Sequence, residues 1–399
     1  MIHSNATMPG ARRVNKTDVL GSIVSFPASG FLRCLKEMTK VFVNLLAIFG
    51  ALVTLALDGR ADIVTVSGGI PGAPSTFSGG TFYAWSNPAF RYWFRTTNVT
   101  VNGLSQVGGA LLNCTNTYQP LQVSFMVSNA NAFEWKSQNS AYGNFQISIS
   151  DGRTNYFSQV SLHGCLYQNG SATFYKVGLP YSTNWNVTLF LSMDDGYSGM
   201  FAGISVPSGA SVTMPALPRQ RTLVVLGDSY AKGYVPSGAP NYNDGSMFLG
   251  GFAMGLQQLA GDLKVYPAGV GGQGYVNGYN QPPVYQNRLQ NDVISLNPDF
   301  VLVTGTINDN GCSTNQLFNA AVQLYSTLQS QLPNARIGVI GNWYREPSIT
   351  PDDRARDAVL QAAARQCDLP YASPVQGQWG YGGTSSDAIH PDATRHIQY

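Results

Sequence analysis

The chain has 399 residues, 44% of them apolar, which is enough for two or three domains and a sizeable core. Charged residues make up 11%, against about a quarter in ordinary globular chains, and the formal net charge is +2. With no basic block or stripe, a nucleic-acid-binding role has no support.

Residues 1–37 show no clear periodicity and form an unassigned N-terminal extension. Residues 38–61 read as a secretory signal. Arg33, Lys36 and Lys40 precede an uncharged apolar run at 41–57, small residues follow, and Met38 offers a natural start. The run also fits a single membrane anchor at the short limit of a span. Either way the positive side stays inside and the rest is exported. The expected location is therefore secreted or extracytoplasmic, in the periplasm or at the cell surface. Cys34 lies before the run, and four cysteines follow it. Two fall in the first half and two in the second, which predicts the pairs Cys114–Cys165 and Cys312–Cys367 in an oxidising compartment.

Residues 62–206 alternate with period two. Leu121, Val123, Phe125 and Val127 interleave with polar or small residues, as do Phe145, Ile147 and Ile149, and Val187, Leu189 and Leu191. Such runs, broken by Gly, Asn and Asp turns, predict an antiparallel β-sandwich. A Pro/Gly/Ser stretch at 207–220 reads as a linker. From 221 to 399 the texture changes. Apolar runs at 222–226, 264–268, 299–304 and 336–341 alternate with helical segments near 246–260, 284–296, 314–331 and 352–366. Ser313 or Thr314 can cap the third helix, and Pro351 can open the fourth. This βαβ rhythm predicts an α/β domain with a doubly wound parallel sheet.

The chemistry concentrates at strand ends. In Thr222–Gly233, TLVVLGDSYAKG, an apolar strand stops at Gly227 and Ser229 follows at once. That is where open α/β sheets place their ligands. Serine needs a base, and His390 in DAIHPD is the natural one, with Asp387 three residues before it to orient the imidazole. Two segments can supply oxyanion donors. Gly269–Gly274 follows the second strand. Gly305–Asp309 follows the third and carries the side-chain amide of Asn308. Asp228 reads as a turn-shaping residue and Asp309 as structural. His163 reads as a strand residue and His396 as a helix-surface residue. The G-x-S-x-G elbow does not occur. No Cys/His cluster has metal-ligand spacing, so neither metal nor cofactor is expected.

These blocks, in this order, resemble the SGNH/GDSL hydrolase superfamily. The resemblance covers about residues 222–399 and implies a flavodoxin-like α/β/α fold. It implies Ser229 as nucleophile, His390 and Asp387 as its partners, and an oxyanion hole made by the Ser229 amide, Gly272 and Asn308. It also implies a helix after the HP block, for which only Asp392–Tyr399 remain. A β-sandwich ahead of such a domain is similar to the layout of some carbohydrate esterases, such as carbohydrate esterase family 2. There the front domain is a jelly roll and the hydrolase deacetylates polysaccharide. The expectation is an exported serine esterase acting on carboxylic, acetyl-type esters, with an acylated carbohydrate or other small ester as partner. Trp343 and Tyr344, after the fourth strand, are candidate substrate contacts. An O-acyltransferase on a glycan, using the same site, and a carbohydrate-binding surface protein with a secondary hydrolase domain both remain open.

Overall fold

The computed structural model describes most of residues 65–379, together with Ile389 and His390. The expected signal or anchor at 38–61, the Cys114–Cys165 pair, most of the 246–260 helix and Asp387 lie outside the described residues. Among the described residues no helix is long and apolar enough to cross a membrane.

The first half is all β. Its strands are β1 (Thr65–Gly68), β2 (Thr81–Ala84), β3 (Arg91–Trp93), β4 (Thr96–Val101), β5 (Leu104–Gly109), β6 (Leu121–Ser137), β7 (Phe145–Ser150), β8 (Asn155–Val160) and β9 (Thr173–Leu191). Shorter pieces follow: β10 (Met193–Asp194), β11 (Tyr197–Ser198), β12 (Met200–Phe201), β13 (Gly203–Val206) and β14 (Ser211–Thr213). A nine-stranded sheet runs β2-β13-β6-β9-β7-β8, with β1, β3 and β14 pairing onto β9 or β6. A separate three-stranded sheet runs β12-β5-β4. The long antiparallel pair β6 and β9 is the spine, and its register shifts at a bulge between Val127 and Ala132. The alternating apolar residues point into one core: Val123, Phe125, Val127, Ile147, Ile149, Val187 and Leu189 are all buried. Phe125 meets Phe90 and Phe133 edge-on at 5.7 and 5.4 Å, the geometry ring quadrupoles favour. The linker is shorter than the composition suggests, because Ser211–Thr213 adds to the sheet against Met126–Ser128.

The second half is a five-stranded parallel sheet. Its strands are β15 (Arg221–Gly227), β16 (Leu263–Gly269), β17 (Phe300–Thr304), β18 (Arg336–Ile340) and β19 (Tyr371–Ala372). They lie in the order β16-β15-β17-β18-β19. Counted along the chain this is 2-1-3-4-5, the flavodoxin-type order, which puts a topological switch point at β15. The helices are α1 (Ser229–Lys232), α2 (Tyr285–Asp292), α3 (Thr314–Gln331), α4 (Pro351–Gln366) and α5 (Pro374–Gly377). Capping boxes open α3 (Ser313 with Gln316) and α4 (Thr350 with Asp353), and each satisfies amide groups that a helix start leaves orphaned. Leu317, Ala321, Leu324, Tyr325 and Leu328 form the buried stripe of α3, at the spacing of one helical face.

The expected Cys312–Cys367 bridge is not formed, and both thiols are free. Cys367 caps the end of α4, with its Sγ 4.0 Å from the Val322 carbonyl and 3.8 Å from Ser326 Oγ. Cys312 lies before the first turn of α3. The stretch from Thr314 to Val322 alone is ~12 Å of helix, at about 1.5 Å per residue. A disulfide needs Cα atoms within about 7 Å.

Candidate active site

Ser229 is the first residue of α1, immediately past the switch-point strand β15. Asp228 caps that short helix by accepting from the Tyr230 amide at 3.0 Å. Gly227 has no room for a side chain: a Cβ there would lie 2.6 Å from Thr304 Cγ2 and 2.7 Å from Ala231 Cβ. The chain can therefore turn hard out of the sheet and present Ser229 at its rim, 6% exposed.

His390 Nε2 stands 2.7 Å from Ser229 Oγ. Two residues 161 positions apart in sequence thus make the bond that a serine nucleophile needs with its base. For Nε2 to accept from the hydroxyl, Nδ1 must carry the ring proton.

The loops after β16 and β17 close around this pair. Gly271 lies against Ser229, with a Cβ built on it 3.9 Å from Ser229 Cβ. Gly272 next to it has φ +73°, a left-handed turn that suits glycine. The loop is shaped by Asp309, whose carboxylate accepts from the amides of Tyr275, Val276 and Asn277 at 2.8–2.9 Å. Gly274 is required there, because a Cβ would fall 2.6 Å from that carboxylate. Asp309 therefore folds the site and does not face a substrate. Asn308 Nδ2 donates to Gln273 O at 2.8 Å and to Asp228 Oδ2 at 3.2 Å, tying all three loops together. A site can hold donors in such bonds when empty and redirect them as charge develops.

Trp343 and Tyr344 do not offer a platform to substrate, being 2% and 4% exposed. Trp343 stacks flat on Tyr230, with centroids 5.2 Å and planes 4° apart, and its Nε1 donates to Thr304 Oγ1 at 2.8 Å. Trp343 thus packs beneath α1 through Tyr230. Trp379 meets Trp343 at 6.1 Å and is partly exposed, a contact the strand-end pattern does not indicate.

Two buried ionisable groups, Asp228 and Arg288, lie beneath the rim. Burial raises the Asp228 carboxyl to about 7, against the pull of the Tyr230 amide, and the charge of Asp309 pushes the same way. Arg288 is wholly buried on α2. Its guanidinium donates to the carbonyls of Gly227 at 2.6 Å and Ala268 at 2.7 Å, and it pairs with Asp292 at 3.3 Å. One planar group thus bridges the ends of the two strands that lead into Ser229 and the glycine loop. The spacing of Tyr285, Arg288, Leu289 and Asp292 puts Arg288 on the inward face of α2, which is the sequence signal that marks it. Among the described residues no group of three or more His, Cys, Asp or Glu is placed to hold a metal ion.

This architecture has known counterparts. The sequence pattern of the GDSL-like lipase/acylhydrolase family matches residues 225–396. This part of the chain is a GDSL-like acylhydrolase domain. The match begins within β15, so the acylhydrolase domain holds both Ser229 and His390. No curated protein matches the chain in sequence. Among solved structures, a family two carbohydrate esterase from Cellvibrio japonicus is 18% identical with a TM-score of 0.56, over 80% of this chain and 94% of its own. A family two carbohydrate esterase from Clostridium thermocellum, solved with cellohexaose, is 15% identical with a TM-score of 0.56, over 77% and 95%. A salicylyl-acyltransferase from a tetracycline biosynthetic pathway is 12% identical with a TM-score of 0.53, over 79% and 93%. At such identities the likeness is one of fold. A match over 80% of the chain cannot be confined to the acylhydrolase domain, so the shared architecture extends into the β half.

Proposed function

We propose that this protein is an exported serine esterase that removes acyl groups, acetyl foremost, from a carbohydrate. The observation that carries the reading is the 2.7 Å contact between His390 Nε2 and Ser229 Oγ at the switch point of the sheet. Ser229 attacks the ester carbonyl carbon while His390 takes its proton. The carbonyl oxygen becomes an oxyanion facing the Ser229 amide, the Gly272 amide and Asn308 Nδ2. The tetrahedral adduct collapses, the sugar hydroxyl leaves with the proton from His390, and an acyl-Ser229 remains. Water, deprotonated by His390, repeats the steps and releases the acid. Asp387 orients His390 and stabilises its charged form.

Support for a sugar substrate comes from the shared fold of the carbohydrate esterases, one of them solved with cellohexaose. Support for export comes from the apolar run at 41–57 behind its basic flank, whether as a cleaved signal or an anchor. In the same reading residues 62–206 are a jelly-roll-like sandwich domain, stapled by Cys114–Cys165, ahead of a hydrolase domain at 221–399. The acyltransferase of the same fold keeps a second outcome in view, because a sugar hydroxyl can replace water in the last step. The test is hydrolysis of p-nitrophenyl acetate by the protein and by Ser229→Ala. Equal release by the two defeats the reading. Acetate released from acetylated glycan, against acetate moved to an added sugar, separates hydrolase from transferase.

A further inference from the structure

The base of this site is held by the neighbour of its nucleophile. The Tyr230 hydroxyl donates to the carbonyl of Ile389, the residue before His390. Tyr230 itself is fixed. It is 1% exposed, begins the second position of α1, and lies flat on Trp343. Trp343 is in turn fastened to Thr304 at the end of β17 through its indole N–H. The Tyr230 ring also meets the His390 imidazole at 5.6 Å, tilted 39°, and Ile389 packs into the same apolar cluster. A column of Thr304, Trp343, Tyr230 and the 389–390 backbone therefore rises from the sheet to the base. Because Ser229 and Tyr230 are adjacent on one helix, the spacing between serine and imidazole is set locally, within α1.

We propose that Tyr230 is a positioning residue that seats His390 on Ser229 through the Ile389 carbonyl. The inference rests on Ser229 and His390 being nucleophile and base. It adds that the hydroxyl next to the nucleophile fixes their contact. A buried hydroxyl on a ring already stacked on Trp343 loses little entropy in making that bond, so its effect goes into placing the imidazole. A displacement on the order of 1 Å can cost a reaction of this kind about 100-fold.

Tyr230→Phe keeps the ring and its stack and removes the hydroxyl alone. With p-nitrophenyl acetate, kcat is expected to fall about 10- to 100-fold, with KM within about twofold, since binding is untouched. Labelling of Ser229 by a fluorophosphonate is expected to slow by the same factor. Imidazole nitrogen NMR gives an activity-free readout: the His390 signals are expected to shift and broaden in Tyr230→Phe and not in Tyr83→Phe, a control in the β half. A Tyr230→Phe protein with wild-type kcat and unchanged His390 signals overturns the inference. So does a loss of activity that only tracks loss of folded protein by thermal melting. If the wild-type protein neither hydrolyses the ester nor takes the label, the esterase reading fails on its own, and the NMR comparison still decides the seating.

Discussion

Asn308 has one amide group and two acceptors already facing it. Its bond to Gln273 O is the shorter, and its bond to Asp228 Oδ2, at 3.2 Å, is the one an oxyanion can draw away. Asn308→Ala is expected to lower kcat for p-nitrophenyl acetate by about 100- to 1,000-fold with little change in KM, the usual cost of removing one oxyanion donor. An unchanged kcat excludes the amide from the reaction. Asp228 adds a pH dependence. Its folded carboxyl is raised to about 7, above the ordinary value of 3.8, so the folded state holds that proton more tightly than the unfolded chain does. The resulting stabilisation is complete below about pH 4 and is lost as pH rises through about 7. Between about pH 5 and pH 8 the wild-type protein is expected to lose on the order of 2–3 kcal/mol through this group. Asp228→Asn should not, and urea denaturation of both proteins at the two pH values measures the difference. Ser229, Asn308 and His390 could be singled out in the sequence as candidates because few residue types can attack a carbonyl, donate to an oxyanion or exchange a proton, and the structure brings Ser229 and His390 into contact. The partners of Tyr230 and Arg288 were not legible, because both residues act on backbone carbonyls, which every residue carries; spacing marks only the inward face of α2 on which Arg288 lies.

Elements were legible where one face is buried and the other is wet. The stripe of α3 and the caps of α3 and α4 follow from spacing and polarity alone. The two-residue β19 is too short to leave a pattern. Gln122 and Ser124 are the opposite case: they alternate with Val123 and Phe125 in the pattern of a solvent face, yet both are fully buried. Gln122 Nε2 donates to Val265 O in β16, and Ser124 joins Thr188 and the indole of Trp93. At Gln122 and Ser124 the outer face of β6 is thus a second buried surface, and the Gln122 amide N–H and the Ser124 hydroxyl are hydrogen-bonded there. At the same scale Arg288 joins α2 to two strand ends. Removing it leaves Asp292 buried without this cation and takes one donor from each of the Gly227 and Ala268 carbonyls. Arg288→Gln is expected to cost about 3–5 kcal/mol in chemical denaturation, as breaking a buried pair does. A cost below about 1 kcal/mol shows that the clamp holds nothing.

The β half and the acylhydrolase half form one compact unit from residue 61 onward. Their contact centres on β16, where Phe94 packs against Tyr266 at 4.7 Å. Lys264 is the unusual member. Its side chain is buried, with Nζ 4.9 Å from the Trp93 ring and 5.8 Å from that of Phe190, while Arg91 covers Trp93 at 4.1 Å. Burial, and then the charge of Arg91, push the Lys264 ammonium down to about 8. The aromatic faces return about 1–2 kcal/mol of cation–π attraction, less than the desolvation they oppose. The sign follows: a lysine whose folded value is depressed costs stability while it is charged, and the cost fades as pH rises from about 8 to 10.5. Lys264→Met fills the same space without a charge. It is expected to raise the unfolding free energy by about 1 kcal/mol at pH 7, with the gain vanishing near pH 10. Chemical denaturation at both pH values decides the point. A loss of stability at pH 7 shows that the ring contacts outweigh desolvation, and that the charge itself holds the two halves together.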